Sequence, residues 1–348
     1  MTTSEDAPET RIVKCATGAP PEPEQMHVHV ADGTRLSMLH FKGSGPAVML
    51  LHGLAANSLI FDLPQRSLAR FLAQNDFDVF LPELRGHGAS DWPSQSWGMR
   101  EYLTLDIPAI LDAICRASGQ SQVHWIGHSM GGILSLCYGI LSSDTRVASV
   151  LTIGSALTMR YGDCFYKRYI PFKSLISFLK SIPLGIIFRV ISPLVGRNRL
   201  SFIDRPTVCS RNIESDLSRN FHRLGFCSVP FSLLLDLLCA FDERGLALKG
   251  QANGCDFYFW ENRERLTLPL RMFAASEDYN VPPDSVIQTA KAMNCENELY
   301  VFGKKHGCLE EYGHCDLIIG KNASREVWPR ILSWLQGEWR GRSSDRSG

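Results

Sequence analysis

The chain has 348 residues, 45% hydrophobic and 21% charged, with 36 Lys+Arg balanced by 36 Asp+Glu. That length and apolar share suit a soluble globular chain whose α/β core has grown by insertion. Zero net charge leaves no electrostatic footprint for nucleic acid and no polybasic patch for a membrane.

Residues 1–25 are polar and proline-bearing and read as a disordered arm. QMHVHV-ADG-TRLSMLHF predicts a hairpin turning at Asp32-Gly33. His27 and His29 share one face of it but have no further ligands for a metal. GPAVMLLHGLAAN (45–57) is a buried strand running into His52-Gly53, which taken alone is a plain strand-to-loop turn. A helix near 63–74 and the strand DVFLPEL follow, then RGHGAS (85–90), where His87 holds a loop or lies at the rim of a pocket. EYLTLDIPAILDAICRAS has apolar residues at helical spacing, broken early by Pro108. QVHWI (122–126) is short and apolar enough for a buried strand, with His124 a satisfied core histidine.

GHSMGG (127–132) comes next, and MGGILSLCYGIL after it reads as a helix. Gly127-His128-Ser129-Met130-Gly131 fits G-x-S-x-G with a strand before it and a helix after it. A serine on such a turn presents Oγ from strained backbone, and the glycines remove Cβ atoms that would clash. The helix N-terminus offers free N–H groups to a developing oxyanion. His128 packs under the turn.

VASVLTIGSAL is a further strand, after which the alternation stops between about 157 and 265. That stretch holds two apolar, helical runs, 169–196 and 229–241. The first resembles a membrane span in hydropathy, but Lys173, Lys180 and Arg189 interrupt it and Pro183 and Pro193 break it. A span needs about 20 predominantly apolar residues. The expectation is an inserted helical cap at 157–265 that walls an acyl pocket, excludes water and makes any transient contact with a membrane surface. The plainer reading is that its apolar side chains only pack cap onto core, as do Trp260 and FYFW (257–260).

The core resumes at 266–337, with a flexible tail at 338–348. LPLRMFAASEDYNVPP (268–283) is a strand ending in an acidic turn, where Asp278 stands just before the VPP loop and Glu277 is its rival. NELYVFG is the last strand, and His306 follows it in KKHG. His314 lies in the glycine-flanked EYGHCDLIIG (311–320). A nucleophile elbow expects Ser, then Asp or Glu, then His. Ser129, Asp278 and His314 fill that order, with Glu277 and His306 as alternatives. The oxyanion donors would be the backbone N–H groups of Leu54, after Gly53, and of Met130, after the serine.

The 11 cysteines form no C-x-x-C or zinc spacing and are odd in number. Cys115, Cys137 and Cys239 sit in apolar helical stretches as small hydrophobes. MTTSEDAPETRIVK has no apolar run like a signal peptide. Reduced thiols in the cytoplasm are expected, and the sequon at Asn322 is then unused.

On these motifs the chain resembles the α/β-hydrolases of lipase and esterase type, from about residue 27 to 336. HGLAAN resembles their oxyanion loop, RGHGAS the loop after the next strand, and GHSMGG their elbow. ASEDYNVPP resembles the acid turn and YGHCDLIIG the histidine loop, in the manner of bacterial lipase-like hydrolases and the acid-lipase branch. The resemblance implies a mostly parallel eight-stranded sheet with helices on both faces, and Ser129, Asp278 and His314 as nucleophile, acid and base. It implies no metal and no organic cofactor. A serine at the elbow argues against the dehalogenase and epoxide-hydrolase branches, which use aspartate there. Three functions follow: hydrolysis of an apolar carboxylic ester, lipid or thioester; acyl transfer or lactone formation by the same triad; and ligand binding without catalysis.

Overall fold

A computed structural model of the chain describes residues 22–168, 180–196, 205–250 and 255–344. The expected arm falls largely outside these residues, as does 169–179 of the first apolar run. Eight strands form one sheet: β1 (Glu24–His29), β2 (Arg35–Phe41), β3 (Ala47–Leu51), β4 (Asp78–Glu83), β5 (Val123–His128), β6 (Val147–Ile153), β7 (Leu270–Ala275) and β8 (Asn297–Phe302). Their spatial order is β1-β2-β4-β3-β5-β6-β7-β8. β2 is antiparallel to β1 and β4, and every other pair is parallel.

The hairpin at the antiparallel edge turns where expected, with His29 opposite Arg35 and Gly33 at φ 87°. In β3 every side chain is buried, as a parallel strand covered on both faces requires. Ala47, Met49 and Leu51 enter one core with Ile107, Ile110 and Leu134. Val48 and Leu50 enter the other with Leu68, Leu72 and Ile331. This is the two-residue alternation of a pleated strand, so helices must cover both faces. The helices α2 (Ile107–Ser118), α3 (Met130–Leu141) and α7 (Pro283–Ala292) cover the first face. The second is covered by α1 (Leu68–Gln74) and α8 (Trp328–Ser344). The last helix runs through position 338, where the tail was expected to begin.

Pro108 does not break its helix. It sits in the first turn of α2, and a π-turn over Tyr102–Asp106 precedes it, joining α2 to the short helix Met99–Glu101. The Ile107 N–H reaches back to the Tyr102 carbonyl, so the wider turn absorbs the donor that proline lacks.

Between β6 and β7 the described elements include α4 (Leu184–Ile191), α5 (Ser215–Leu224) and α6 (Phe231–Leu238), with two-residue ladders Ser181–Ile182 against Val229–Pro230 and Ala247–Leu248 against Phe257–Tyr258. Phe188 stacks on Phe226 at 4.0 Å and Phe226 meets Phe221 at 5.0 Å, which ties α4 to α5. Phe259 is fully buried in the first core, so the FYFW cluster does pack this segment onto the sheet. No described helix is long and apolar enough to cross a membrane.

Candidate active site

β5 feeds directly into α3 through Ser129, whose φ of 54° and ψ of −119° lie in a region that L side chains rarely adopt. Such strain persists only where the surroundings fix it. The Ser129 N–H donates to the Ile153 carbonyl at 2.9 Å, and the Ser129 carbonyl accepts from the Gly132 and Ile133 N–H groups. A Cβ on Gly131 would lie 2.2 Å from the Leu51 carbonyl oxygen, so only glycine lets the helix start so close to β3. A Cβ on Gly53 would lie 2.8 Å from the Ser129 Cβ, which places the 53–57 loop against the serine. Neither Leu54 nor Met130 donates its N–H to a partner among the described residues. Both stay available to an oxygen bound at the serine.

The turn that carries Asp278 follows β7. Asp278 Oδ1 accepts from the N–H groups of Asn280 and Val281, each at 2.8 Å. Its Oδ2 lies 2.7 Å from His314 Nδ1. Both side chains are buried. An ionised carboxylate only accepts, so Nδ1 carries the proton and Nε2 keeps its lone pair. The His128 Nε2–H in turn donates to the His314 carbonyl at 3.2 Å, with the two rings 4.7 Å apart. The loop carrying His314 therefore sits on the residue preceding Ser129.

The rivals are elsewhere. Glu277 turns to Arg211 at 3.3 Å, and His306 is exposed on the turn after β8. His27 and His29 are exposed on β1, His124 bonds Ser149 at 2.8 Å inside the sheet, and no cluster of metal-ligating residues exists among the described residues. A polar cleft of about 520 Å³ lined by Gln65, Ser192, Pro193, Asp216, Arg219, Asn220 and Arg223 contains none of the site residues.

His52 and His87 support the loops from beneath, ring centres 4.7 Å apart. His52 Nδ1–H donates to the Gly53 carbonyl at 2.9 Å while Nε2 accepts from the Leu84 N–H at 3.2 Å. His87 is fully buried rather than at a pocket rim, and its Nδ1–H donates to the Arg85 carbonyl at 3.1 Å. Arg85 anchors this loop by a buried pair with Asp106 at 2.6 Å and a second with Asp32 at 2.7 Å. Sequence reading passed over Arg85 and Asp106, because 21 positions and a π-turn separate them.

Burial pushes the His52 imidazole down to about 4, His87 to about 3 and His222 to about 4, and lowers His128 as well. A histidine depressed in the fold contributes stability above its ordinary value of 6.5, and that stability is lost as pH falls from there toward the folded value. Asp106 and Asp316, raised by burial to about 6 and about 7, act in the opposite sense, but the imidazoles outnumber them. The urea midpoint should therefore fall between pH 6.5 and 4.5, each histidine adding up to about 1.4 kcal/mol per pH unit. A midpoint that stays level or rises from pH 7 to pH 5 would refute this account.

Comparison with known proteins agrees with this architecture. Residues 46–168 match the family model for the alpha/beta hydrolase fold. Human lipase member K is 32% identical over 341 residues, covering 84% of this chain and 79% of that protein. The chain belongs to the α/β-hydrolase family of lipases and esterases. The likeness to lipase member K marks it as a carboxylic ester hydrolase. Human gastric triacylglycerol lipase is 24% identical to this hydrolase over 344 residues, covering 84% of this chain and 80% of the lipase. An esterase from Exiguobacterium antarcticum superposes on the hydrolase with a TM-score of 0.63 at 17% identity, over 90% of this chain and all of the esterase. At that identity the likeness speaks for the fold alone.

Proposed function

We propose that the hydrolase cleaves apolar carboxylic esters through an acyl-Ser129 intermediate, with Asp278 and His314 completing the triad. The 2.7 Å Asp278–His314 contact beside a strained serine elbow carries this reading. With Nδ1–H held by Asp278, His314 Nε2 takes the Ser129 proton as Oγ attacks the carbonyl carbon. The N–H groups of Leu54 and Met130 hold the tetrahedral oxyanion, where one lost donor typically costs about 3 kcal/mol of barrier. His314 returns the proton to the leaving alcohol, then activates the water that releases the acid. This chemistry needs no metal or organic cofactor. A fluorophosphonate probe should modify one residue, and peptide mass mapping should find the adduct on Ser129. An adduct elsewhere, or none from folded protein, counts against the mechanism.

Residues 26–156 and 266–337 serve as the catalytic core in this reading, and 157–265 as a cap. The apolar character of α4 and α6 and the likeness to lipases favour medium or long acyl groups over acetyl. Each buried CH₂ is worth roughly 0.8 kcal/mol, about fourfold in kcat/KM. Across p-nitrophenyl esters from acetate to palmitate, kcat/KM should rise over the first added methylenes by tens of fold. A monotonic fall from acetate onward would make the insert a packing element. Product analysis with added alcohol separates hydrolysis from acyl transfer. The ten described cysteines are all free, which supports a reducing, cytoplasmic setting.

A further inference from the structure

Two residues after His314 stands a carboxylate that the triad does not use. Asp316 is fully buried and faces no cation among its contacts. Its Oδ1 accepts from the N–H of Gly313 at 2.8 Å and from the N–H of Cys209 at 3.2 Å. Its Oδ2 accepts from the Asn212 side-chain amide at 3.0 Å. One acceptor group thus joins the loop carrying His314 to a segment of the insert more than 100 residues earlier. Two backbone bonds run alongside it, Cys315 N–H to the Thr207 carbonyl at 2.7 Å and Lys321 N–H to the Asn212 carbonyl at 2.6 Å.

The connection continues beyond the insert's first contact. Thr207 Oγ1 bonds His222 Nε2 at 3.0 Å, and the His222 Nδ1–H donates to the Ser218 carbonyl at 2.8 Å within α5. Past the end of α5, the Gly225 carbonyl accepts from the Asn57 N–H at 3.1 Å, and the Cys227 N–H donates to the Ala55 carbonyl at 2.6 Å. Segment 207–227 therefore brackets the site, reaching the histidine loop at one end and the 53–57 loop at the other.

We propose that Asp316 is a positioning residue: it clamps the His314 loop to this bracket and so fixes the reach of the base toward Ser129. The proposal rests on His314 being the base. The plainer role for Asp316 is to start the single helical turn Asp316–Ile319. Yet none of the three donors to its carboxylate, Gly313, Cys209 and Asn212, belongs to that turn. Burial pushes the Asp316 carboxyl up to about 7 against the pull of its three N–H donors, a cost that an aliphatic residue would avoid. A buried carboxylate with only dipolar partners is destabilising unless every lone pair is used, and here the partners come from both segments.

The test exchanges the donor and the acceptor. Asp316→Asn keeps one carbonyl oxygen for Gly313 and Cys209 but sets its NH₂ against the Asn212 NH₂, a clash relieved only if the Asn212 amide flips and gives up the bond its oxygen accepts from the Asn322 NH₂ at 3.4 Å. Asn212→Asp alone sets two carboxylates against each other. The double variant D316N/N212D restores a donor–acceptor pair with the roles reversed. Each single variant should lower kcat for a p-nitrophenyl ester, and the rate of fluorophosphonate labelling at Ser129, by about tenfold to a hundredfold, the cost of a small misplacement of a catalytic group. KM should move less than kcat, and the double variant should recover most of the loss. Asn212→Ala, which leaves both backbone bonds of Asp316 in place, should fold and show a smaller fall in kcat.

Singles that fold with wild-type kcat would overturn the proposal, as would a folded double variant with no recovery. Should the singles fail to fold, recovery of both folding and rate in the double supports the clamp, and an Asn212→Ala protein with unchanged kcat overturns it. His314→Ala is run alongside: if that variant stays active, the triad reading has failed, whatever the Asp316 series shows.

Discussion

Ser129→Ala and His314→Ala should each remove nearly all turnover, on the order of a millionfold in kcat, while His306→Ala leaves most of the rate. Members of a triad act as a unit, so under the proposed mechanism losing either Ser129 or His314 forfeits the whole covalent route. Ser129 is the residue that the elbow holds at φ 54°, and alanine there keeps the backbone without the attacking oxygen. His314 is buried with Nδ1 committed to Asp278, which leaves Nε2 for the proposed proton transfer. His306 lies exposed on the turn after β8, and no bond joins it to any of these residues. Steady-state rates on a soluble ester, with circular dichroism to confirm folding, decide the matter. A dead His306→Ala protein beside an active His314→Ala protein would move the base to His306.

Much of this candidate site was legible because its parts are local. G-x-S-x-G between a β-branched strand and a small-residue helix needs no partner elsewhere to be read, and Ser129 lies where that pattern places it. Asp278 stands in a short turn after β7 and His314 in a glycine-flanked loop just ahead of an apolar helical turn, so chain order alone pairs them. The interactions missed in the sequence are those between distant polar residues. Arg85 pairs with Asp106 at the end of a π-turn that precedes Pro108, and helical periodicity read that proline as a break. Asp316 reads as an ordinary residue at a helix start until Cys209 and Asn212 are seen to approach it from the insert. A buried carboxylate carries no periodic signature: its partners are defined by topology. His87 was legible as a loop-holding residue, while its complete burial depends on His52 and Tyr102 closing around it.

Asp278→Asn should lower kcat by about ten-thousandfold while leaving the fold intact, the typical cost of stranding a triad histidine in the wrong tautomer. The geometry here makes that outcome specific. Oδ1 is held by the N–H groups of Asn280 and Val281, so in the variant the amide oxygen stays with those donors. The NH₂ then replaces Oδ2, 2.7 Å from His314 Nδ1, and it can only donate. His314 must answer with a lone pair on Nδ1 and place its proton on Nε2, where it can no longer accept one from Ser129. Imidazolium formed during attack would also lose its neighbouring charge. Glu277→Gln is the matched control, because Glu277 points to Arg211 at the surface and its backbone N–H already bonds the Tyr312 carbonyl at 2.8 Å. It should stay within about twofold of wild type, since an exposed ion pair contributes little. The same soluble ester assayed at pH 7.5 reads both variants. Should Asp278→Asn retain a tenth of the rate while Glu277→Gln is inactive, the acid of this triad is Glu277.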